Sequence, residues 1–306
     1  MAEVALSGKT IVVTGVTGQV AEPLALGLAK DNEVVGAARF SDPQARRRLE
    51  EGGVRCVPVN LVRGEVGELP ADADYVIHMA VAKSNRWGVD LDANCGGLAA
   101  LMEHHREAAA FLHCSTAAVY RPDGHRALVE DDELGDNHGV WPFLRTYSIT
   151  KIAAEAVARY AARRFELPTT IARLSVPYGD NGGWPALHLE MLLGGQPIEV
   201  HVDAPSVFSP IHEADIAATL PGLLGAAAVP ATVVNWGGPA LSIEEWCAYL
   251  GDLVGEPPRF QPTEATIEST TLDLTRLHGL VGPTRVDWRE GMAAMVAHRH
   301  PEAVRR

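Results

Sequence analysis

Strand and helix signals alternate along the first 175 residues, and this alternation constrains the fold more than any other feature of the chain. "KTIVVTG" is a β-rich run ending on glycine, "VAEPLALGLAKD" is helical in period, and "EVVGAARF" is a strand signal again. "ARRRLEEGG" reads as a helix stopped by glycine, and "VRCVPVN" as the next strand. The strand "ADYVIHMA", the helix "ANCGGLAALMEHHREA" and the strand "AFLHCSTAAVY" follow. Such a βαβα order predicts a parallel sheet with helices on both faces, an α/β fold with a Rossmann-type doubly wound sheet.

Residues 121–143 interrupt the rhythm with Pro, Gly and acid, as expected of a long loop arriving at a site. The alternation weakens after residue 176. The expected organisation is therefore a dinucleotide-binding domain over 1–175, rejoined by 205–240, and a smaller interleaved substrate lobe within 176–306. With 306 residues and 47% hydrophobic side chains, a core of that size is available. The net charge of −13 makes nucleic acid and anionic membranes poor electrostatic partners. The densest basic run, Arg46 to Arg48, reads as a solvated helix face. Four cysteines with no C-x-x-C pair suit a reducing compartment, so a cytoplasmic location is expected. No run of about 18 apolar residues predicts a membrane span.

Four positions suggest chemistry. In "TGVTGQVA", Gly15 and Gly18 permit a tight turn between strand and helix, where bare backbone lets a pyrophosphate approach a helix N-terminus. The next strand ends in Arg39 rather than an acid; an arginine pairs with a 2′-phosphate but cannot accept from a ribose hydroxyl, which favours NADP over NAD. Tyr147 and Lys151 stand four apart on a helix, where the ammonium is expected to lower the phenol's pKa and make it a usable acid/base. Ser115 and Thr116, at a strand end, offer hydroxyls to the carbonyl that Tyr147 would serve.

In order along nearly the whole chain, these motifs resemble the extended short-chain dehydrogenases/reductases, the NAD-dependent epimerase/dehydratase group. "TGVTGQVA" resembles TGxxGxxG, with Ala21 in place of the last glycine. "YVIHMA" resembles D-x-V-x-H-x-A, and Asn94 in "DANCGGL" the N-x-x-G-T helix start. "CSTAAVY", "YSITK", "ARLSVPYGD" and "FSPIHEADIA" resemble S-S-x-x-V-Y, Y-x-x-x-K, R-x-x-N-V-Y-G-P and F-I-H-V-x-D-V-A. The resemblance implies Tyr147 as acid/base, Lys151 as ribose ligand and tyrosine activator, and Thr116 as hydroxyl partner. It implies a cofactor site built from Gly15, Thr17, Gly18, Gln19, Val20, Arg39, Asn60, Leu61, Met79, Ala80, Lys83, Asn94, Ser115 and Val176, besides Tyr147 and Lys151. Asn60 stands where an Asp often reads the adenine amine, its amide oxygen still able to accept, and Lys83 where some members place a pyrophosphate-contacting lysine. A homodimer built on "ANCGGLAALMEHH" and "KIAAEAVARYAARRF" is also implied.

Two departures bear on substrate. Sugar-nucleotide members often place an Asn at position 176 and an Arg at position 208; here they are Val176 and Phe208. The acidic stretch "VEDDELGD", if near the cleft, would repel a dianion further. Trp141 and Trp184 are candidate substrate platforms. His104 and His105 are adjacent and cannot face one ligand, no H-E-x-x-H spacing occurs, and no metal is expected. The leading expectation is an NAD(P)-dependent oxidoreductase acting on a small, uncharged carbonyl or secondary alcohol. The alternatives are a nucleotide-sugar epimerase/dehydratase and a non-catalytic NADP-sensing regulator.

Overall fold

A computed structural model of the chain describes residues 4–303. Six strands of the N-terminal region, β1 (Thr10–Thr14), β2 (Glu33–Ala38), β3 (Arg55–Pro58), β4 (Tyr75–His78), β5 (Ala110–Thr116) and β6 (Thr169–Leu174), pair in parallel. Short strands follow: β7 (Pro177–Gly179), β8 (Gly182–Gly183), β9 (Ile198–His201), β10 (Val207–Phe208) and β11 (Ile211–His212). Then comes β12 (Thr232–Trp236), which returns to the main sheet beside β6, so that the seven strands run β12-β6-β5-β4-β1-β2-β3. Last are β13 (Leu241–Ser242) and β14 (Phe260–Thr263), which pair with β10 and β9.

Alternation along each strand sends side chains to both faces. Ile11 and Val13 of β1 join one fully buried cluster with Ile77, Leu112 and Trp236; Val12 joins another with Val76 and Phe111. The first cluster is covered by α1 (Ala21–Leu28), by Leu49 of α2 (Pro43–Glu51), and by α7 (Glu213–Gly225) and α9 (Thr275–Val281). The second is covered by α4 (Gly97–His104) and α5 (Tyr147–Phe165). Ala154, Ala158, Ala161 and Ala162 lie buried on α5, and their short side chains let its backbone come close to the sheet. The short α3 (Trp87–Leu91) runs into α4 through a π-helical turn, Asp92–Gly96. A third cluster, with Leu189, Phe208, Trp246, Met292 and Met295, gathers the smaller lobe around α6 (Trp184–Leu193), α8 (Ile243–Val254) and α10 (Trp288–Arg299). Strand order reverses between β1 and β4, and the crevice at that switch point opens at the carboxyl ends of the strands.

Candidate active site

The crevice is a cleft of about 900 Å³, running from the glycine turn to the aromatic wall of the smaller lobe. Its floor at one end is the turn after β1. Gly15 has φ +68°, its N–H donates to the Ala37 carbonyl at 2.8 Å, and a Cβ there would sit 2.7 Å from the Ala80 backbone. Only glycine fits both demands. Helix α1 has no side-chain N-cap; Glu22 N–H donates to the Gly18 carbonyl at 2.9 Å and Gly18 N–H to the Gly15 carbonyl at 2.8 Å, while Thr17, Gly18, Gln19 and Val20 line the cleft ahead of the helix. Gln19 is also a brace: its Nε2 donates to the Pro177 carbonyl at 3.1 Å.

Every residue expected in the cofactor and catalytic sets lines this one cleft, as do Trp141, Trp184 and Phe208. Their roles differ. Arg39 is exposed at the lip beside Phe40 and Ser41, and Lys83 is exposed on the rim. Met79 and Ala80 flank Gly15 from the end of β4, where Ala80 N–H donates to Thr14 Oγ1 at 3.3 Å. Leu61 packs over Gly97. Asn60 caps the 3₁₀ turn Leu61–Arg63 by accepting from Val62 N–H at 3.2 Å, so the amide oxygen expected to face an adenine is already engaged. Asn94 is buried and clamps backbone: Oδ1 accepts from Ala82 N–H at 2.7 Å, and Nδ2 donates to the Ala82 carbonyl and to Thr150 Oγ1. Ser115 lines the cleft, but its hydroxyl turns away and donates to Glu155 Oε1 at 2.6 Å. Glu155 receives both arms of the Arg173 fork, at 2.9 and 2.8 Å, in a fully buried ion pair.

At the centre, the Thr116 hydroxyl meets the Tyr147 phenol. Thr116 Oγ1 also accepts from Ala118 N–H at 3.2 Å, which fixes the oxygen at the head of the 3₁₀ turn Ala117–Val119. Lys151 is buried and donates from Nζ to the Cys114 carbonyl at 2.6 Å. The expected depression of the tyrosine pKa is not what this arrangement gives. Burial pushes Tyr147 up to about 12, and the Thr116 contact only partly offsets it. Burial lowers Lys151, whose ammonium is held by a carbonyl rather than by the phenol. Spacing places two side chains on one face; it does not decide which acceptor the ammonium reaches.

Behind Lys151, His78 stacks on His113 at 5.3 Å and bonds Thr14 Oγ1 through Nδ1 at 2.7 Å. Burial, and then the Lys151 charge, push His78 down to about 3, so the ring is neutral. Val176 has φ +33°, a left-handed conformation unfavourable for a β-branched residue, and strain of this kind concentrates at functional sites.

The substrate end is aromatic. Trp184 meets Trp141 at 5.6 Å and Phe208 at 5.2 Å, and Phe143 stacks on Trp141. His138, which the sequence did not single out, contacts both Trp141 and Tyr147. It lies in an irregular loop, where spacing carries no information about direction. The acidic loop does not reach the cleft: no residue of 129–136 lines it. Glu130 is buried with Asn235 N–H and Arg276, Asp132 pairs with Arg126, and Glu133 with Arg121. Among the described residues, no Asp or Glu lines the cleft.

No curated protein matches the chain significantly. Solved structures do match in fold. UDP-glucose 4-epimerase of Thermotoga maritima, with UDP-glucose, superposes with a TM-score of 0.80 at 19% identity, over 95% of this chain and 99% of that one. The dTDP-glucose 4,6-dehydratase DesIV of Streptomyces venezuelae, with NAD and TYD bound, gives 0.80 at 19% identity, over 96% and 97%. UDP-glucuronic acid 4-epimerase of Bacillus cereus, with UDP-glucuronic acid and NAD, gives 0.79 at 20% identity, over 94% and 98%. At such identities the shared property is the fold. The NAD dependent epimerase/dehydratase family itself matches residues 11–200, well over half of the sequence. With that match and the cleft at the switch point, the chain belongs to the NAD dependent epimerase/dehydratase family and is an enzyme of that family.

Proposed function

We propose that this enzyme moves a hydride between a bound nicotinamide dinucleotide and a carbon carrying a secondary alcohol or carbonyl, with Tyr147 passing the accompanying proton. The observation that supports it is the Tyr147–Thr116 contact at the centre of the cleft, between the glycine turn and the aromatic wall. The cleft fits the cofactor: Gly15 and Gly18 leave room for a pyrophosphate, and no side chain caps the start of α1, whose positive dipole end faces it. When bound, the nicotinamide supplies the hydride acceptor or donor. The chain does the rest. Thr116, its oxygen already accepting from Ala118 N–H, directs its own proton outward to orient the substrate oxygen. Tyr147 gives or takes the proton at that oxygen. Its high pKa suits it as a donor, and a positive charge placed beside it would make it a better acceptor. Lys151 contributes positive charge from beneath and is the group to meet a ribose.

The wider comparison favours a nucleotide sugar as substrate, oxidised and then re-reduced as in an epimerase, over the one-way oxidoreductase expected from sequence. The three structures named above are described with UDP-glucose, TYD or UDP-glucuronic acid. One observation favours the second reading, a small uncharged substrate: among the described residues, the substrate half of the cleft, from Ala117 through His138 and Trp141 to Trp184 and Phe208, holds no Arg, Asp or Glu and no Lys besides the buried Lys151. A diphosphate there would lack the fork that normally holds it. The same lack disfavours dehydration, which needs a second acid and base near the reacting carbon. For the cofactor, NAD is bound in two of those structures, whereas the exposed Arg39 beside Ser41 suits a 2′-phosphate.

The test has two parts. NADH and NADPH are titrated by calorimetry against wild type and Arg39→Asp; a preference for NADPH that reverses in the variant supports the NADP reading, and equal affinities in wild type overturn it. UDP-glucose, UDP-glucuronic acid and dTDP-glucose are then incubated with the holoenzyme beside a panel of ketones. Epimerised sugar product supports the nucleotide-sugar reading, and ketone reduction without it supports the second. Turnover that survives Tyr147→Phe undiminished overturns both.

A further inference from the structure

One titratable side chain of the substrate half takes no part in proton or hydride transfer at Tyr147. His138 is 9% exposed, and its loop is pinned on both sides. Its N–H donates to Ser148 Oγ at 3.3 Å, its carbonyl accepts from Trp141 N–H at 3.0 Å, and Asn137 Nδ2 donates to Thr270 Oγ1 at 2.8 Å. The imidazole lies 5.6 Å from the Tyr147 ring, and 5.4 Å from Trp141 at a near-perpendicular 85°. Nδ1 is buried without a hydrogen-bond partner among the described residues. Nε2 makes no hydrogen bond to the described residues either, but it is not among the buried orphans and so retains access, on a side chain that lines the cleft. Burial pushes the imidazole down to about 4, so near neutrality it carries one proton. A buried N–H without an acceptor is rarer in proteins than an under-used acceptor, so the proton belongs on Nε2. The ring thus presents a donor into a pocket whose other walls are mostly aromatic and aliphatic, with Trp141, Trp184, Phe208, Leu187 and Ile267.

We propose that His138 is a substrate-binding residue that donates to an oxygen one carbon away from the reacting centre. The substrate is thereby a vicinal diol or α-hydroxy carbonyl compound, a polyol or sugar ring, rather than an isolated ketone. Tyr147 marks the reacting oxygen, and a donor whose ring stands within 6 Å of the phenol reaches the neighbouring oxygen of the same molecule. Trp141 and Trp184 would then lie against the C–H face of the ring, as aromatic side chains do with apolar faces. This rests on the hydride-transfer reading.

The probes are 2-hydroxyacetophenone and acetophenone, which differ by the neighbouring hydroxyl, reduced by the enzyme with NADPH or NADH. Wild type is expected to favour the hydroxyketone by about tenfold or more in kcat/KM, since a site built to bond a hydroxyl discriminates against its absence. In His138→Phe the ratio should fall to within about twofold, mainly through KM, and His138→Asn should restore part of it. Cofactor affinity, followed by tryptophan quenching, reports that each variant is folded. A wild-type ratio near one, a ratio that ignores position 138, or no reduction of either probe overturns the assignment of His138. Failure of the underlying reading looks different: Tyr147→Phe would keep the wild-type rate on whichever ketone or sugar nucleotide is turned over.

Discussion

At the scale of single residues, Tyr147 has the chemistry of a proton donor before it has that of a base. Burial holds its phenol near 12, and Lys151 answers to the Cys114 carbonyl. In the cofactor-free protein, the ultraviolet difference between wild type and Tyr147→Phe should show no phenolate below about pH 10. A transition near pH 7 would mean that the ammonium governs the phenol after all. Tyr147→Phe should lower kcat by about 10²–10⁴-fold with little change in cofactor affinity, the range for loss of a positioned acid/base. Single-turnover hydride transfer measures the first quantity and calorimetry the second. Lys151→Met should weaken both.

At the scale of elements, the site depends on how β5, β6 and α5 are locked together. Ser115 on β5, Arg173 on β6 and Glu155 on α5 form one buried network, extended by Arg159 and by the Glu130 carbonyl. Burial would raise the Glu155 carboxyl, but the Arg173 fork and the Ser115 hydroxyl hold it below the usual range. Glu155 stands one turn after Lys151 on the same helix, and Ser115 directly precedes Thr116. The network therefore sets the distance between the strand end and the tyrosine helix. Arg173→Met should destabilise the protein by about 3–5 kcal/mol, because it strands a buried carboxylate. Adding Glu155→Gln should recover part of that loss. Urea unfolding of the two variants checks this, and a single variant within 1 kcal/mol of wild type would show that Arg159 alone suffices.

At the scale of the whole molecule, several buried histidines make the fold sensitive to acid. Burial depresses His78 to about 3 and His138 and His188 to about 4, against an ordinary value of 6.5. A depressed group contributes stability that is present above its unfolded pKa and lost as pH falls toward its folded pKa. The window is therefore from about 6.5 down to about 4 for His138 and His188 and to about 3 for His78. Each of the three should remove about 2 kcal/mol by pH 5. Stability measured in urea at pH 7 and pH 5 should differ by several kcal/mol, and a flat profile would contradict neutral burial. The surface makes a second expectation. Tyr160 and Ile149 on α5 are 67% and 39% exposed, and Leu91, just ahead of α4, is 38% exposed. Pairing of these helices with a second copy would cover them, so sedimentation at micromolar concentration should give a dimer mass. No helix of the described residues is long and apolar enough to cross a membrane.

The alternation of strand and helix, the glycine turn and the Tyr147–Lys151 spacing determined the doubly wound sheet and located one cleft, because hydrophobic period and backbone freedom are local properties. Every residue that the sequence assigned to the cofactor set lines that cleft, among others that it did not name. It did not determine what their polar atoms do. Only the tertiary structure turned Ser115 toward Glu155, tied Asn94 to Ala82, engaged the Asn60 oxygen with Val62 N–H and gave the Lys151 ammonium to Cys114. It also paired the acidic loop with its own arginines away from the cleft, and brought His138 to Tyr147 from a stretch without period. Hydrogen-bond partners and desolvation come from whatever element packs alongside, and neither is written in the spacing of residues along one chain segment.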